Sequence, residues 1–136
     1  MIEFAIFGIP LSLQARAPSK AAWKENVRVQ TRQAVPEEEC RIFCEVSVTL
    51  LYYFFGEDVL DLDNIAKPIL DGMSGVAYSD DSQIAQLTLR KTSLSTGLVV
   101  EGPSAAFAGA LDQATNGGGD FTYIIIGDGP DHTKLP

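Results

Sequence analysis

Histidine is nearly missing from this chain. His132 is the only one in 136 residues, and it falls in the closing GDGPDHTKLP stretch, which reads as a loose tail. A catalytic dyad built on imidazole, or a zinc site, therefore has little to draw on. Cysteine is scarce as well. Cys40 and Cys44 lie on a stretch that alternates like a strand, where four residues span ~13 Å at ~3.3 Å per residue, too far for a disulfide. They read as buried free thiols in a reducing cytoplasm. No apolar run approaches the ~20 residues that a membrane helix needs. The opening MIEFAIFGIP carries no basic region, so it does not read as a signal peptide. Basic residues are the remaining shortage: ten Lys and Arg stand against eighteen Asp and Glu, for a net charge of −8. Taken over the whole chain, that balance argues against nucleic acid as a partner.

The distribution of charge says otherwise. Arg16, Lys20, Lys24, Arg28 and Arg32 recur every four residues and make up half of all the basic residues. A helix over about 20–34, opened near Ser19 and closed by Pro36, places Lys20, Lys24, Arg28 and Arg32 along one stripe. Trp23, Val27, Gln30 and Ala34 form another. The basic stripe, with Arg16 ahead of it, is a candidate DNA-binding surface that tracks phosphates; its bland counterpart is a solvated helix face. Around it, residues 2–7 read as a strand, and 41–55 as a long strand with Val46, Val48 and Leu50 on one face. A short helix over 64–73, capped by Asp63 or Asn64, ends at Gly72 and Gly75. A further strand covers 83–91, with Ala85, Leu87 and Leu89 on one face. The alanine-rich 104–114 segment suggests a helix capped by Ser104, and 121–126 a final strand. The glycines at 117–119 and the GDGPD stretch lack the order of a phosphate loop or a calcium loop and read as structural. With 46% hydrophobic residues, the chain fits one domain over 1–136.

From Glu57 to Asp81 there are seven carboxylates (Glu57, Asp58, Asp61, Asp63, Asp71, Asp80 and Asp81) and a single base, Lys67. The segment also carries core-forming side chains throughout, such as Leu62, Ile65, Ile69, Met73 and Tyr78, so disorder does not explain the crowding of like charge. A bound divalent cation does, and oxygen-only ligands favour Mg²⁺ or Mn²⁺ over zinc. Asp61 and Asp63 leave a strand together. Asp63, Lys67 and Asp71 share one helical face at i, i+4, i+8. A strand that follows Asp80 and Asp81 can return Asp81 to the Asp61/Asp63 corner. Such a site orients a water and stabilises charge on a phosphodiester, and Lys67 is placed to neutralise that charge. For Asp58 and Asp80 taken singly, a solvated loop or a helix cap is the better reading.

The run DLDN, then Lys67 four residues after Asp63, then Asp71, then YSDDSQI opening a strand, resembles the core motif of the RusA family of Holliday junction resolvases. The resemblance covers about residues 1–92; 97–119 looks like an insertion before the last strand. It implies an α+β fold, a small mixed β-sheet with flanking helices, assembled as a homodimer. It further implies a Mg²⁺-dependent endonuclease that cuts four-way DNA junctions. Asp61, Asp63 and Asp81 fall on the family's metal-binding aspartates and Lys67 on its catalytic lysine. Asn64, Asp71, Asp80 and Gln83 match supporting positions, and Asp80 is a further candidate to share the metal. The chain departs from the family at Gly56-Glu57-Asp58-Val59-Leu60, where members usually carry Lys or Arg, and in its overall acidity. Those departures leave open a flap or single-strand nuclease on the same scaffold, or a non-catalytic dimeric module with a vestigial metal site.

Overall fold

The computed structural model describes residues 1–12, 15–36, 44–58 and 60–135. Cys40, the turn at 37–39 and the first part of the long strand expected over 41–55 lie outside the described residues. In chain order the elements are β1 (Ile2–Phe7), α1 (Ala17–Ala34), β2 (Val46–Phe54), α2 (Leu62–Met73), β3 (Ile84–Ser93), α3 (Ala105–Gln113) and β4 (Phe121–Asp128). This is an α+β fold with one mixed sheet, as the sequence suggested. Among the described residues no helix is long and apolar enough to cross a membrane.

The sheet order is β1-β4-β2-β3. The last strand of the chain therefore sits inside the sheet, antiparallel to β1 and to β2. β2 and β3 are parallel, an arrangement that requires a crossover, and α2 with the turn after it supplies one. Alternation divides the apolar residues between the two sheet faces. Val46, Val48 and Leu50 of β2 join Ile124 and Ile126 of β4 in a core that takes Trp23 and Val27 of α1 and Ile69 and Met73 of α2. On the other face Leu51, Tyr53, Phe121 and Tyr123 pack against Phe107, Ala110 and Ala114. The alanine-rich segment is thus the cover of one sheet face, and Ser104 caps α3 as expected by accepting from the Phe107 amide at 3.2 Å.

Several local readings change. Helix α1 begins at Ala17, with Arg16 at the cap position and Pro18 in the first turn, so Ser19 is not its cap. Its buried stripe is Trp23, Val27 and Thr31; Ala34 is exposed. Gln30 is half-buried because it doubles as a clamp on β1, donating to the Phe7 carbonyl and accepting from the Phe7 amide, each at 2.8 Å. In β3 the pairing slips between Val46 and Ser47, leaving Ala85 without a residue opposite, so Ala85 is exposed while Leu89 packs against the core. Cys44 is exposed, not buried. The C-terminal stretch is tied down: the Gly129 amide donates to the Glu45 carbonyl at 3.1 Å, and the His132 ring meets the Glu45 carboxylate at 2.7 Å.

Two glycines fix how α1 sits. Gly8 turns the chain after β1 at φ +133°, and a Cβ there would stand 2.7 Å from the Trp23 ring. Gly72 lies in the last turn of α2, which ends at Met73 as expected. A Cβ on it would meet the Val27 side chain at 2.7 Å and the Lys24 carbonyl oxygen at 3.0 Å. Only a residue without a side chain lets the two helices approach this closely.

Candidate active site

Helix α2 carries the chemistry. Asp61 occupies its cap position with φ −84° and ψ 139°, and its carbonyl accepts from the amides of Asn64 and Ile65 at 3.1 and 3.3 Å. Its side chain makes no capping bond. The usual structural reason for an aspartate at this position is therefore absent, and the carboxylate stays free. Asp63 follows in the first turn, also exposed. The positive end of the helix dipole favours both charges and offsets part of their mutual repulsion. Apolar Ile65, Ala66, Ile69 and Met73 turn inward, which leaves Asp63, Lys67 and Asp71 on the outer face, as the spacing predicted. Pro68 is tolerated inside the helix and is buried with them.

Lys67 is engaged twice. Its Nζ lies 2.7 Å from Asp71 Oδ1 and 3.3 Å from Asp81 Oδ2. The bond to Asp71 raises the lysine pKa above its ordinary value; desolvation opposes it, and the charge of Asp71 with the bond and charge of Asp81 add to the rise. Lys67 is accordingly a full cation at any working pH. Behind it the Tyr78 hydroxyl donates to the Leu70 carbonyl at 2.7 Å. Burial pushes this phenol well above its usual range, reinforced by the charges of Asp81, Asp71 and Asp80.

Two other acids have structural employment. Asp80 caps the single turn Asp81–Gln83: its carboxylate accepts from the Ser82 amide at 3.0 Å, and the Gln83 side chain reaches back to the Asp80 amide at 2.9 Å. The bonds from Ser82 hold its carboxyl below the usual aspartate range. This reciprocal box commits Asp80 to the turn. Gln83 also donates to the Cys44 carbonyl at 2.8 Å, which pins the turn to the start of β2. Asp58 pairs with Lys91 at 2.8 Å. The acidic departure before Asp61 is thus partly neutralised from β3; among the described residues Glu57 has no ion pair there.

The basic stripe runs alongside this face. Arg28 reaches across from α1 to donate to the Asp71 carbonyl at 3.2 Å, near the C-terminal end of α2 where a cation is favoured. Arg28 is half-buried, while Arg16, Lys24 and Arg32 are exposed. Arg28 thus links the stripe to α2 at the Asp71 carbonyl.

Asp61, Asp63 and Asp81 offer only hard oxygen donors, all three exposed, and that chemistry fits a divalent cation such as Mg²⁺. Among the described residues no three acidic, histidine or cysteine side chains stand close enough together to enclose an ion. Asp81 faces Lys67 instead. Lys91 is the residue that sequence reasoning passed over. The signal was available: with Leu87 and Leu89 on one face of β3, Lys91 is the next residue on that face, a charge at an inward position.

A family model described as endodeoxyribonuclease RusA matches residues 14–101. The chain belongs to the RusA family. The matched span includes the whole basic stripe, every carboxylate from Glu57 to Asp81, Lys67 and Lys91. Helix α3 and the central strand β4 lie beyond it. No curated protein matches the chain. Membership makes the chain an endodeoxyribonuclease by family, a hydrolase of phosphodiester bonds in DNA.

Proposed function

We propose that this protein is a Mg²⁺-dependent endonuclease that cleaves branched DNA, four-way junctions foremost, as a homodimer in the cytoplasm. The observation that carries the reading is the division of labour on α2. Asp61 and Asp63 are held at a helix start without any side-chain bond, while Lys67 is anchored beside them by Asp71. The helix dipole accounts for acids at a helix start and i,i+4 spacing for one ion pair; the convergence of a second acid, Asp81, on the same lysine is what favours a phosphate site over a solvated face.

Asp61, Asp63 and Asp81 would hold the cation, with Mn²⁺ as a substitute. A bound divalent ion supplies an activated water and charge stabilisation on the phosphate. The chain's own residues do the rest. Asp71 is the shorter partner of Lys67, so Asp81 can turn away without releasing the ammonium. An ammonium has three N–H donors, so an anchored Lys67 keeps donors to offer a non-bridging or leaving oxygen. Arg16, Lys20, Lys24 and Arg32 would meet the DNA backbone along α1, with Arg28 linking that helix to α2 through the Asp71 carbonyl. Edge strand β3, with Leu87 39% exposed, offers a second copy an open sheet edge to pair with.

Incubating the protein with a synthetic four-way junction and with linear duplex, in Mg²⁺ and in chelator, tests the proposal. Metal-dependent cutting of the junction, lost in Asp63→Asn, is the expected result. Cutting of flaps or single strands in preference to junctions moves the substrate to the second class, and the remaining excess of acid at Glu57 is the feature that favours it. Absence of cleavage under any metal rejects the enzyme reading.

A further inference from the structure

We propose that Lys91 is a positioning residue that sets the direction of the Asp61 carboxylate; the inference rests on Asp61 serving the cleavage reaction. The strand register places Lys91 beside Tyr52, on the sheet face where Tyr52, Phe54 and Ile65 cluster with Leu60 and Leu62. From there Nζ donates to the Leu60 carbonyl at 2.9 Å and to Asp58 Oδ1 at 2.8 Å. The Leu60 carbonyl belongs to the planar peptide unit whose nitrogen is that of Asp61. Holding that oxygen fixes the plane from which the Asp61 Cα departs.

This matters because nothing else directs the carboxylate. The Asp61 side chain makes no capping bond. Its aim is inherited wholly from the backbone, and the backbone arrives through a connection with few ties. The Phe55 amide is held by Asp120 Oδ1 at 2.9 Å and the Gly56 amide by Ser95 Oγ at 3.1 Å. Beyond them, the two bonds from Lys91 are the only polar ties on the described residues between Gly56 and Asp61. Asp58 has a defined part as well: it holds the ammonium over the connection and keeps it from reaching out to a phosphate. Asp58 is exposed and its contact with Lys91 is open to solvent, whereas the bond to the Leu60 carbonyl is part-buried and is the better shielded of the two.

The experiment compares wild type, Lys91→Met, Lys91→Arg and Asp58→Asn by two readouts. One is hydrogen exchange at the Asn64 and Ile65 amides in metal-free protein, since both donate to the Asp61 carbonyl. The other is steady-state cleavage of a four-way junction at several salt concentrations. Lys91→Met is expected to lower protection at those two amides about tenfold while sheet amides keep theirs. It is also expected to lower kcat about tenfold with KM and salt dependence near wild type. Lys91→Arg restores most of both, and Asp58→Asn gives a smaller change of the same sign. Unchanged protection at Asn64 and Ile65, or loss spread evenly over the sheet, overturns the inference. So does a loss confined to KM with a shallower salt slope, which makes Lys91 a DNA contact. If wild type cuts no DNA the nuclease reading fails, and the exchange data alone decide whether Lys91 fixes Asp61.

Discussion

The two halves of α2 use the same residue type in opposite ways. At its start, Asp61 and Asp63 are free of side-chain bonds and are favoured only by the helix dipole and by water. One and two turns on, Lys67 and Asp71 are bound, and Asp81 from the following turn completes a three-member ion cluster. The contrast shows that carboxylate density alone says little. Charges that already hold a cation have less need of another, and of the two acids on Lys67 it is Asp81, with the longer contact, that can be shared. Charges left open at a helix start, among core residues that keep the segment folded, retain repulsion that a ligand can relieve. The bound half is also the half braced by α1, through Gly72 and Arg28, whereas the open half packs through Leu62 and Ile65 on Tyr52 and Phe54 of β2 and follows the connection that Lys91 pins.

If the open half is where the chemistry happens, its removal should be felt in activity and not in stability. Asp61→Asn and Asp63→Asn are expected to lower cleavage by about a thousandfold or more, equivalent to about 4 kcal/mol of transition-state stabilisation. The melting temperature should hold or rise slightly as like-charge repulsion falls. A large drop in melting temperature alongside lost activity would erase the distinction between the halves. Lys67→Met should cost less, about a hundredfold in kcat, the scale of one charge-stabilising donor. Its effect on stability should stay under about 1 kcal/mol because the pair is exposed. The sign with pH is set by the raised lysine pKa. The cluster contributes fully below the ordinary lysine value and is lost as pH climbs through the raised one. An alkaline limb of activity should therefore lie above the usual lysine range and vanish in Lys67→Met, as a pH–rate profile would show.

A smaller effect separates the halves by packing. In Gly72→Ala the new methyl meets Val27 and the Lys24 carbonyl, overpacking worth about 1–3 kcal/mol, against about 1 kcal/mol gained in helix propensity. Urea denaturation should show a net loss of about 1 kcal/mol. Amide shifts should centre on 67–72, leaving Asp61 and Asp63 unmoved.

Much of this was legible in the chain because α2 obeys a single period. The 3.6-residue repeat that buries Ile65, Ile69 and Met73 is what sets Asp63, Lys67 and Asp71 outward, so spacing alone placed them together. Alternation at period two likewise revealed β1, β4 and the Val46, Val48 and Leu50 face of β2, but not the slip at the start of β3 that exposes Ala85. What spacing could not show was the partner of each acid. Asp58 and Lys91 are 33 residues apart and meet only because β2 and β3 run parallel in one register. Glu45 and His132 are 87 apart and meet because β4 enters the middle of the sheet, a placement that no local pattern announces. Gly72 was read correctly as falling at the end of α2, but its second part, the close crossing with α1, was not foreseen, since only the position of Val27 on the other helix shows it.

The smallest effect is expected at Asp80, and it tests the sorting of neighbours that differ by one position. Asp80 and Asp81 are adjacent and both exposed, yet one is spent on the Ser82 amide and the other faces Lys67. Asp80→Asn keeps an acceptor for the Ser82 amide, so cleavage should stay within about twofold of wild type, whereas Asp81→Asn should resemble Asp63→Asn. Because the Asp80 carboxyl sits below its usual range, its contribution to stability is present above the ordinary aspartate value and is lost as pH falls through the lowered one. Asparagine does not titrate, so the acid side of the stability profile should become slightly shallower in Asp80→Asn and nowhere else. Loss of cleavage in Asp80→Asn with Asp81→Asn active would exchange the two roles, and the cap would then be a resting arrangement from which Asp80 must be released.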